Sequence, residues 1–349
     1  MHMNRKRIAD YGIRVGKMER GPLNKITDVP GVRVGHATVC DPLHHTGVTV
    51  ILPCEDNMFA RKLTAASFVL NGFGKTQGLV QLDELGTLET PIALTNTLNV
   101  GIVHDALITY MDARCRADHV PMHSINPVVG ECNDASLNAI CDRPVTAAHV
   151  MQAIERACTD FEEGDVGAGA GTVCHGLKGG IGSASRVITI AGKAYTLGVL
   201  LQSNHGCLEE LTVCGRRLGE EILARRAQAP VQAPQDRGSI MMVVGTDLPV
   251  SDRQLRRIIK RCSVGLARCG SYFGHGSGDV MIGFSTSNRM PHGGMHRVLT
   301  QQVLTEHTLE TAFRAVAEAT QEAVLNSLAC ADDVRAEDGT LYEAIGRYL

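Results

Sequence analysis

At 349 residues the chain is long enough to bury a large core, as one large domain or as two smaller ones. Its 34 Lys and Arg stand against 37 Asp and Glu, a net charge of −3 with no long run of one sign, so nothing points to a nucleic acid or an anionic membrane surface as partner. Tryptophan is absent and aromatic residues make up 4% of the chain, which disfavours stacking platforms for bases or sugars.

The basic start MHMNRKRIADYGIRV lacks the apolar stretch of about 7 to 15 residues that a secretory signal needs, and no segment approaches a membrane span. Twelve cysteines are scattered from Cys40 to Cys330 without any C-x-x-C. Reduced thiols in a cytoplasmic protein are the expectation, and zinc-finger spacing is absent.

In chain order, short apolar runs bounded by glycine or polar turns predict strands at 47–53, 66–72 and 90–96. An amphipathic helix is expected around Val150, Ile154 and Ala157. Two further strands, 185–192 and 194–204, have the outline of a hairpin with Gly192 in its turn. Residues 225–238, RRAQAPVQAPQDRG, show no periodicity and read as an exposed, mobile linker. The strand SIMMVVGT follows at 239–246. Apolar residues at Leu255, Ile258, Ile259, Cys262 and Leu266 then predict a helix, with Ser251 and Gln254 as its capping box. A strand at 279–286 and a long helix after Glu306 complete the series. Strands and helices interleave without strict βαβ alternation, so a layered α/β sandwich with mainly antiparallel pairing is the expected fold class.

The glycine-rich stretch GDVGAGAGTVCHGLKGGIGSASR at 164–186 suggests a nucleotide site, but it lacks G-K-[ST] and leads into a strand rather than a helix. Tightly folded backbone is the better reading, with Lys178 solvated or salt-bridged. Among fourteen histidines, His44 and His45 are adjacent, which disfavours one shared ion, and His292 and His296 flank GGM; no H-E-x-x-H occurs, and no metal site is assigned. His275 reads as a hydrogen-bonded bystander.

Four places carry polar groups suited to chemistry. Ser239 opens a buried strand, where its hydroxyl must find a partner or face a cavity. Gly238, just before it, has no Cβ and can take backbone angles that other residues avoid. Ser277 and Asp279 lie two apart at the start of a strand, so both point to one face and the carboxylate can orient the hydroxyl; a polar turn closing the strand is the alternative. Asn204 ends a strand, where an amide can donate to a developing oxyanion or simply form a turn. The cluster Glu131, Asn133, Asp134 and Ser136 either caps a helix starting near Ala135 or lines a pocket.

Taken together, ITDVPGVRVGH, NGFGKTQGLVQLDELGTLETPIALTNTLNVG, PVVGECNDASLN, GAGTVCHGLKGGIGSASR, LLQSNHG, GSIMMVVGTDLP and GSGDVMIGFST occur in an order that resembles the DmpA-type aminopeptidases. That family comprises L-aminopeptidase D-amidase/D-esterases and β-peptidyl aminopeptidases. The resemblance implies a single catalytic domain over 1–349, an αββα sandwich shared with ornithine acetyltransferases and layered like N-terminal-nucleophile hydrolases. It implies autocleavage between Gly238 and Ser239 into an α chain, 1–238, and a β chain, 239–349. Ser239 would then be the nucleophile. The base would be its freed α-amino group, or the Ser277–Asp279 pair as relay and orienter, with Asp standing where many relatives have Glu. Asn204 would supply the oxyanion hole, and Glu131 would bind the substrate ammonium. Ser136 stands where the family commonly has a tyrosine as second oxyanion donor, a departure that bears on substrate preference. A cytoplasmic homotetramer acting on short peptides, amides or esters, without metal or organic cofactor, completes what the resemblance implies. An acyltransferase related to the ornithine acetyltransferases is the alternative, against which stands Ser239 where that group has threonine. An inactive ligand-binding relative is the other.

Overall fold

A continuous apolar run lets a strand bury both faces when it lies between two layers, as β-strands 92–96 and 128–132 of this chain do. The computed structural model describes residues 5–226, 237–293 and 298–349. In chain order the elements are β1 (Arg33–Cys40), β2 (His45–Leu52), β3 (Arg61–Gly72), α1 (Leu79–Leu85), β4 (Thr87–Leu88), β5 (Ile92–Asn96), α2 (Val100–Ala117), β6 (Val128–Cys132) and α3 (Ala147–Glu155). There follow β7 (Val173–Cys174), β8 (Leu177–Lys178), β9 (Ile181–Ile190), β10 (Lys193–Asn204), α4 (Leu218–Arg225), β11 (Arg237–Thr246), α5 (Asp252–Ile259), α6 (Cys262–Ala267), β12 (Gly276–Pro291) and α7 (Leu309–Ala329).

Two sheets stack face to face. One has the order β1-β2-β5-β6, the other β4-β3-β12-β11-β10-β9. Most neighbours are antiparallel, but β5 with β6 and β11 with β12 run parallel. Parallel neighbours need a crossover, which α2 supplies in the first case and α5 with α6 in the second. One core lies between the sheets and holds Ile51, Leu94, Leu200, Met241, Val243 and Ile282. A second lies between the first sheet and helices α2 and α3. A third lies between the second sheet and α5, α6 and α7, and holds Met242, Val244, Met281 and Val324. The result is the four-layer αββα sandwich.

Alternation along β11 sends Met241 and Val243 into the inter-sheet core and Ile240, Met242 and Val244 toward the helices. Each such fully buried side chain contributes about 1.5–3 kcal/mol, so the strand beginning at Ser239 is anchored on both faces. The β9–β10 hairpin turns on Ala191 and Gly192, both at positive φ, the geometry of a type I′ turn.

Several expectations are corrected. The helix read from Leu255 to Leu266 breaks after Ile259 because its halves pack differently: α5 lies on β3 and β12, α6 on α7. Ser251 and Gln254 do form the capping box of α5. No helix starts near Ala135. There Asn133 accepts the Ala135 N–H, and buried Asp134 accepts from the Asn138 amide at 2.9 Å, side-chain bonds that favour a turn. Lys178 is neither solvated nor salt-bridged: its ammonium is fully buried and donates to the carbonyls of Gly169, Thr172 and Gly179 at 2.7–3.0 Å, while burial pushes its pKa down to about 8. The helix α2 is not among the elements the sequence pattern predicts. Of the linker, residues 227–236 lie outside the described residues, as does His296; α4 reaches Arg225 and β11 begins at Arg237.

Candidate active site

Strand pairing sets the site. In the antiparallel β10–β11 ladder, Asn204 lies directly opposite Ser239. Both follow the alternation of the inter-sheet face, with Leu200 and Gln202 on one strand and Met241 on the other. Directly opposed side chains on one face stand about 4.5–5.5 Å apart at Cβ, which brings amide and hydroxyl into each other's reach.

Ser239 and Asn204 line one cavity of 610 Å³ together with Glu131, Ser136, Thr97, Phe73, Val173, Gly238 and His275. Ser239 is 4% exposed, and its Oγ has no hydrogen-bond partner among the described residues. A buried hydroxyl without a partner is costly, about 1–3 kcal/mol, unless something entering the cavity satisfies it. Such a group is a candidate for reaction.

The Asn204 amide is orientated by its other end. Its Oδ1 accepts the Val173 N–H at 2.9 Å, which leaves Nδ2 to donate toward the cavity. The β7 segment carrying Val173 is in turn held by Lys178, whose ammonium gathers the carbonyls on either side of it. An amide held this way would cost no reorganisation if negative charge developed on a carbonyl bound in the cavity. Replacing Asn204 by Ala should therefore lower kcat about 10²–10³-fold with a smaller change in KM. Steady-state kinetics on an aminoacyl p-nitroanilide would check this, and an unchanged kcat would remove Asn204 from the oxyanion role.

Glu131, at the end of β6, sets a carboxylate in the same cavity. It is 3% exposed, accepts the Lys75 N–H at 2.8 Å and accepts the Thr97 hydroxyl. These two bonds fix its orientation while it lines the cavity. β6 reaches β11 across the inter-sheet space, where the Cys132 thiol donates to the Ser239 carbonyl at 3.5 Å. Ser136 sits on the exposed turn at the rim and also borders a neighbouring 300 Å³ pocket. Phe73, Thr97, Val173 and His275 were not singled out as wall residues; they come from separate loops and strands that only the fold brings together.

Ser277 and Asp279 are placed differently. The Ser277 hydroxyl donates to Asp279 at 2.8 Å and both are buried, but neither lines the cavity. In the parallel β11–β12 register Gly238 is opposite Ser277 and Ser239 opposite Gly278. Ser277 and Asp279 alternate with Val280 and Ile282 and so share the helix-layer face of Met281, whereas the Ser239 side chain faces the other sheet. The pair therefore lies beside the main chain at 238–239, not beside the Ser239 hydroxyl.

Gly238 runs as strand directly against β10. A Cβ there would stand 1.9 Å from the Asn204 carbonyl oxygen, so only glycine fits.

A layered α/β scaffold in which one unpartnered hydroxyl, one orientated amide and one fixed carboxylate meet in a cavity is that of a hydrolase acting on acyl compounds. The pattern of peptidase family S58 matches residues 24–342, and the chain belongs to that family. A β-peptidyl aminopeptidase of Sphingosinicella xenopeptidilytica is 36% identical over 331 residues, 89% of this chain and 82% of the relative. A β-aminopeptidase of a Burkholderia species superimposes with a TM-score of 0.90 at 38% identity, over 98% of this chain and 96% of the other. The L-aminopeptidase D-Ala-esterase/amidase of Ochrobactrum anthropi, described as a prototype of the serine aminopeptidases and a variant of the Ntn hydrolase fold, gives a TM-score of 0.90 at 33% identity, over 97% and 95% of the two chains. The protein is thus a hydrolase of the aminopeptidase class with the layering of that fold. Among the described residues no helix is long and apolar enough to cross a membrane.

Proposed function

We propose that this protein is a self-processing serine aminopeptidase whose nucleophile is Ser239. The observation that carries the reading is the buried, unpartnered Ser239 Oγ facing a cavity beside the Asn204 amide. In the first reaction the hydroxyl attacks the carbonyl of Gly238: the C–N bond breaks, an ester forms and the serine nitrogen leaves as an amine. Water then hydrolyses the ester, leaving a carboxylate on Gly238 and a free Ser239 as the new N-terminus. The chains 1–238 and 239–349 remain in one fold because β11 is packed between β10 and β12.

The same hydroxyl then attacks a substrate carbonyl and forms an acyl-enzyme, which water hydrolyses. The freed α-amino group, with an ordinary pKa of about 8, is the base. The position of Ser277 and Asp279 beside the main chain suits a role on that amine, through which they act on Oγ. Glu131 receives the substrate's own ammonium, and Ser136 at the rim meets the substrate beyond its first residue.

Substrates are short peptides, amides or esters with a free amino end. The names of the relatives support β-residues among them, since a cavity of 610 Å³ has room for one extra backbone methylene. A cytoplasmic homo-oligomer, a tetramer by family resemblance, completes the reading. Denaturing electrophoresis of an active preparation should show bands of about 25 and 12 kDa by proportion of length, the smaller one beginning Ser-Ile-Met. A single intact chain that hydrolyses substrate would sink the proposal.

A further inference from the structure

Behind the wall of the Ser239 cavity, three side chains with no part in acyl transfer come together. Cys174 ends β7, His175 follows it, and His205 follows the last residue of β10. All three are buried, at 0%, 0% and 1% exposure. One donor atom from each lies within 4.8 Å of the other two. The segments are tied together by the His175 N–H, which donates to the His205 carbonyl at 2.7 Å.

The hydrogen-bonding of the His175 ring is that of a ligand. His175 Nδ1 lies 2.9 Å from the Cys207 carbonyl. A carbonyl only accepts, so Nδ1 carries the proton and Nε2 presents its lone pair. Metal-binding histidines usually hold their second nitrogen in this way. On the other ring, His205 Nδ1 lies 3.8 Å from Cys174 Sγ and is the nitrogen placed to ligate, while Nε2 is buried with no partner among the described residues.

One thiol and two neutral imidazoles make a soft-to-borderline donor set suited to Zn²⁺ or Cu⁺ rather than to Ca²⁺ or Mg²⁺. Tetrahedral coordination at ordinary Zn–S and Zn–N lengths puts sulfur and nitrogen about 3.6 Å apart and two nitrogens about 3.3 Å apart. The Sγ–Nδ1 pair is already within a few tenths of an ångström of that. The other pairs, within 4.8 Å of one another, would close by up to about 1.5 Å on binding.

We propose that Cys174, His175 and His205 form a buried site for one thiophilic metal ion of the Zn²⁺ class, with Cys174 giving up its thiol proton on binding. The site would brace the oxyanion wall. His205 adjoins Asn204, Cys174 adjoins the Val173 whose N–H orientates the Asn204 amide, and Gly206 lies so close to the His175 ring that a Cβ there would stand 2.4 Å from Cε1. Val173, Asn204 and Gly206 all line the cavity.

The test uses the full chain with the exposed Cys40, Cys141, Cys158 and Cys214 changed to Ser, which removes surface thiols that could hold metal adventitiously. Because the site is closed to solvent, the metal is supplied during expression, as Zn²⁺ in one culture and Co²⁺ in another. The expected results are one Zn²⁺ per chain by elemental analysis and, in the cobalt protein, thiolate-to-metal charge-transfer absorption with tetrahedral d–d bands. Both should be lost in Cys174→Ser/His205→Gln. Metal retained undiminished by that double variant would overturn the proposal. Should the double variant fail to fold, the unmutated site still decides: a cobalt-grown protein without thiolate charge transfer, or one purified with less than about a tenth of an equivalent of Zn²⁺, overturns it equally.

Discussion

Ser239→Ala should give a single uncut chain that hydrolyses aminoacyl p-nitroanilides at least about 10⁴-fold more slowly than the parent, the scale of loss when a serine nucleophile is removed. Under the proposed mechanism both effects have one cause, the same Oγ attacking the Gly238 carbonyl and the substrate carbonyl. The fold should not suffer. The hydroxyl has no hydrogen-bond partner among the described residues, so its removal breaks none of their bonds and leaves none of their groups newly unsatisfied. The uncut chain also keeps the covalent link between its two parts, which limits the unfolded ensemble. A thermal melt of the variant should therefore lie at or above that of the parent. Together the three measurements separate chemistry from folding: lost processing and lost hydrolysis with an unchanged or raised Tm mark a nucleophile. A variant that is cut normally, or that keeps wild-type hydrolysis, would remove Ser239 from the mechanism. One that loses activity along with several degrees of Tm would show a structural serine instead.

The strands were legible because each is a short apolar run whose ends are marked by glycine or polar turns, and β2, β3, β5, β9, β10, β11 and β12 all overlap the segments read from the sequence. Their pairing was less so. Antiparallel neighbours joined by a tight turn announce themselves, as Ala191 and Gly192 do, whereas the parallel pairs depend on crossovers that no local pattern specifies. The helix α2 was hidden although its buried residues Val100, Val103, Leu107, Met111 and Cys115 recur at helical spacing. Its β-branched Val100, Ile102, Val103, Ile108 and Thr109 favour strand on propensity, and tertiary packing overrides them.

The candidate site shows the same division. Spacing alone places Ser277 and Asp279 on one face of one strand, and their hydrogen bond is as that spacing allows. Which face they share relative to Ser239 depends on the register of β11 against β12, which sequence does not carry. Lysine is rarely buried, so a solvated or salt-bridged Lys178 is what the sequence suggests; three carbonyls left over by the glycine-rich turns around it make burial tolerable. The cluster of Cys174, His175 and His205 is equally silent in sequence, since two of its members are neighbours and the third arrives on another strand.

Glu131→Gln should separate the recognition of a free amino end from the chemistry itself. Glutamine keeps an oxygen that can accept the Lys75 N–H and a side chain of the same length beside Thr97, so the cavity retains its shape while the negative charge is lost. A charged partner left unpaired in a desolvated site typically costs 2–5 kcal/mol, so kcat/KM for unblocked aminoacyl p-nitroanilides should fall by roughly 30- to 4,000-fold. If the ion pair forms equally in the bound substrate and in the transition state, the loss appears mainly in KM. N-acetylated analogues, which carry no ammonium, should be hydrolysed poorly and to the same extent by parent and variant. The proposed processing supplies the internal control, because an attack of Ser239 on Gly238 would involve no substrate ammonium: Glu131→Gln should still yield the two chains. A variant that remains uncut would place Glu131 in the acid–base chemistry, and one that keeps full activity on unblocked substrates would leave the preference for a free N-terminus to another group in the cavity.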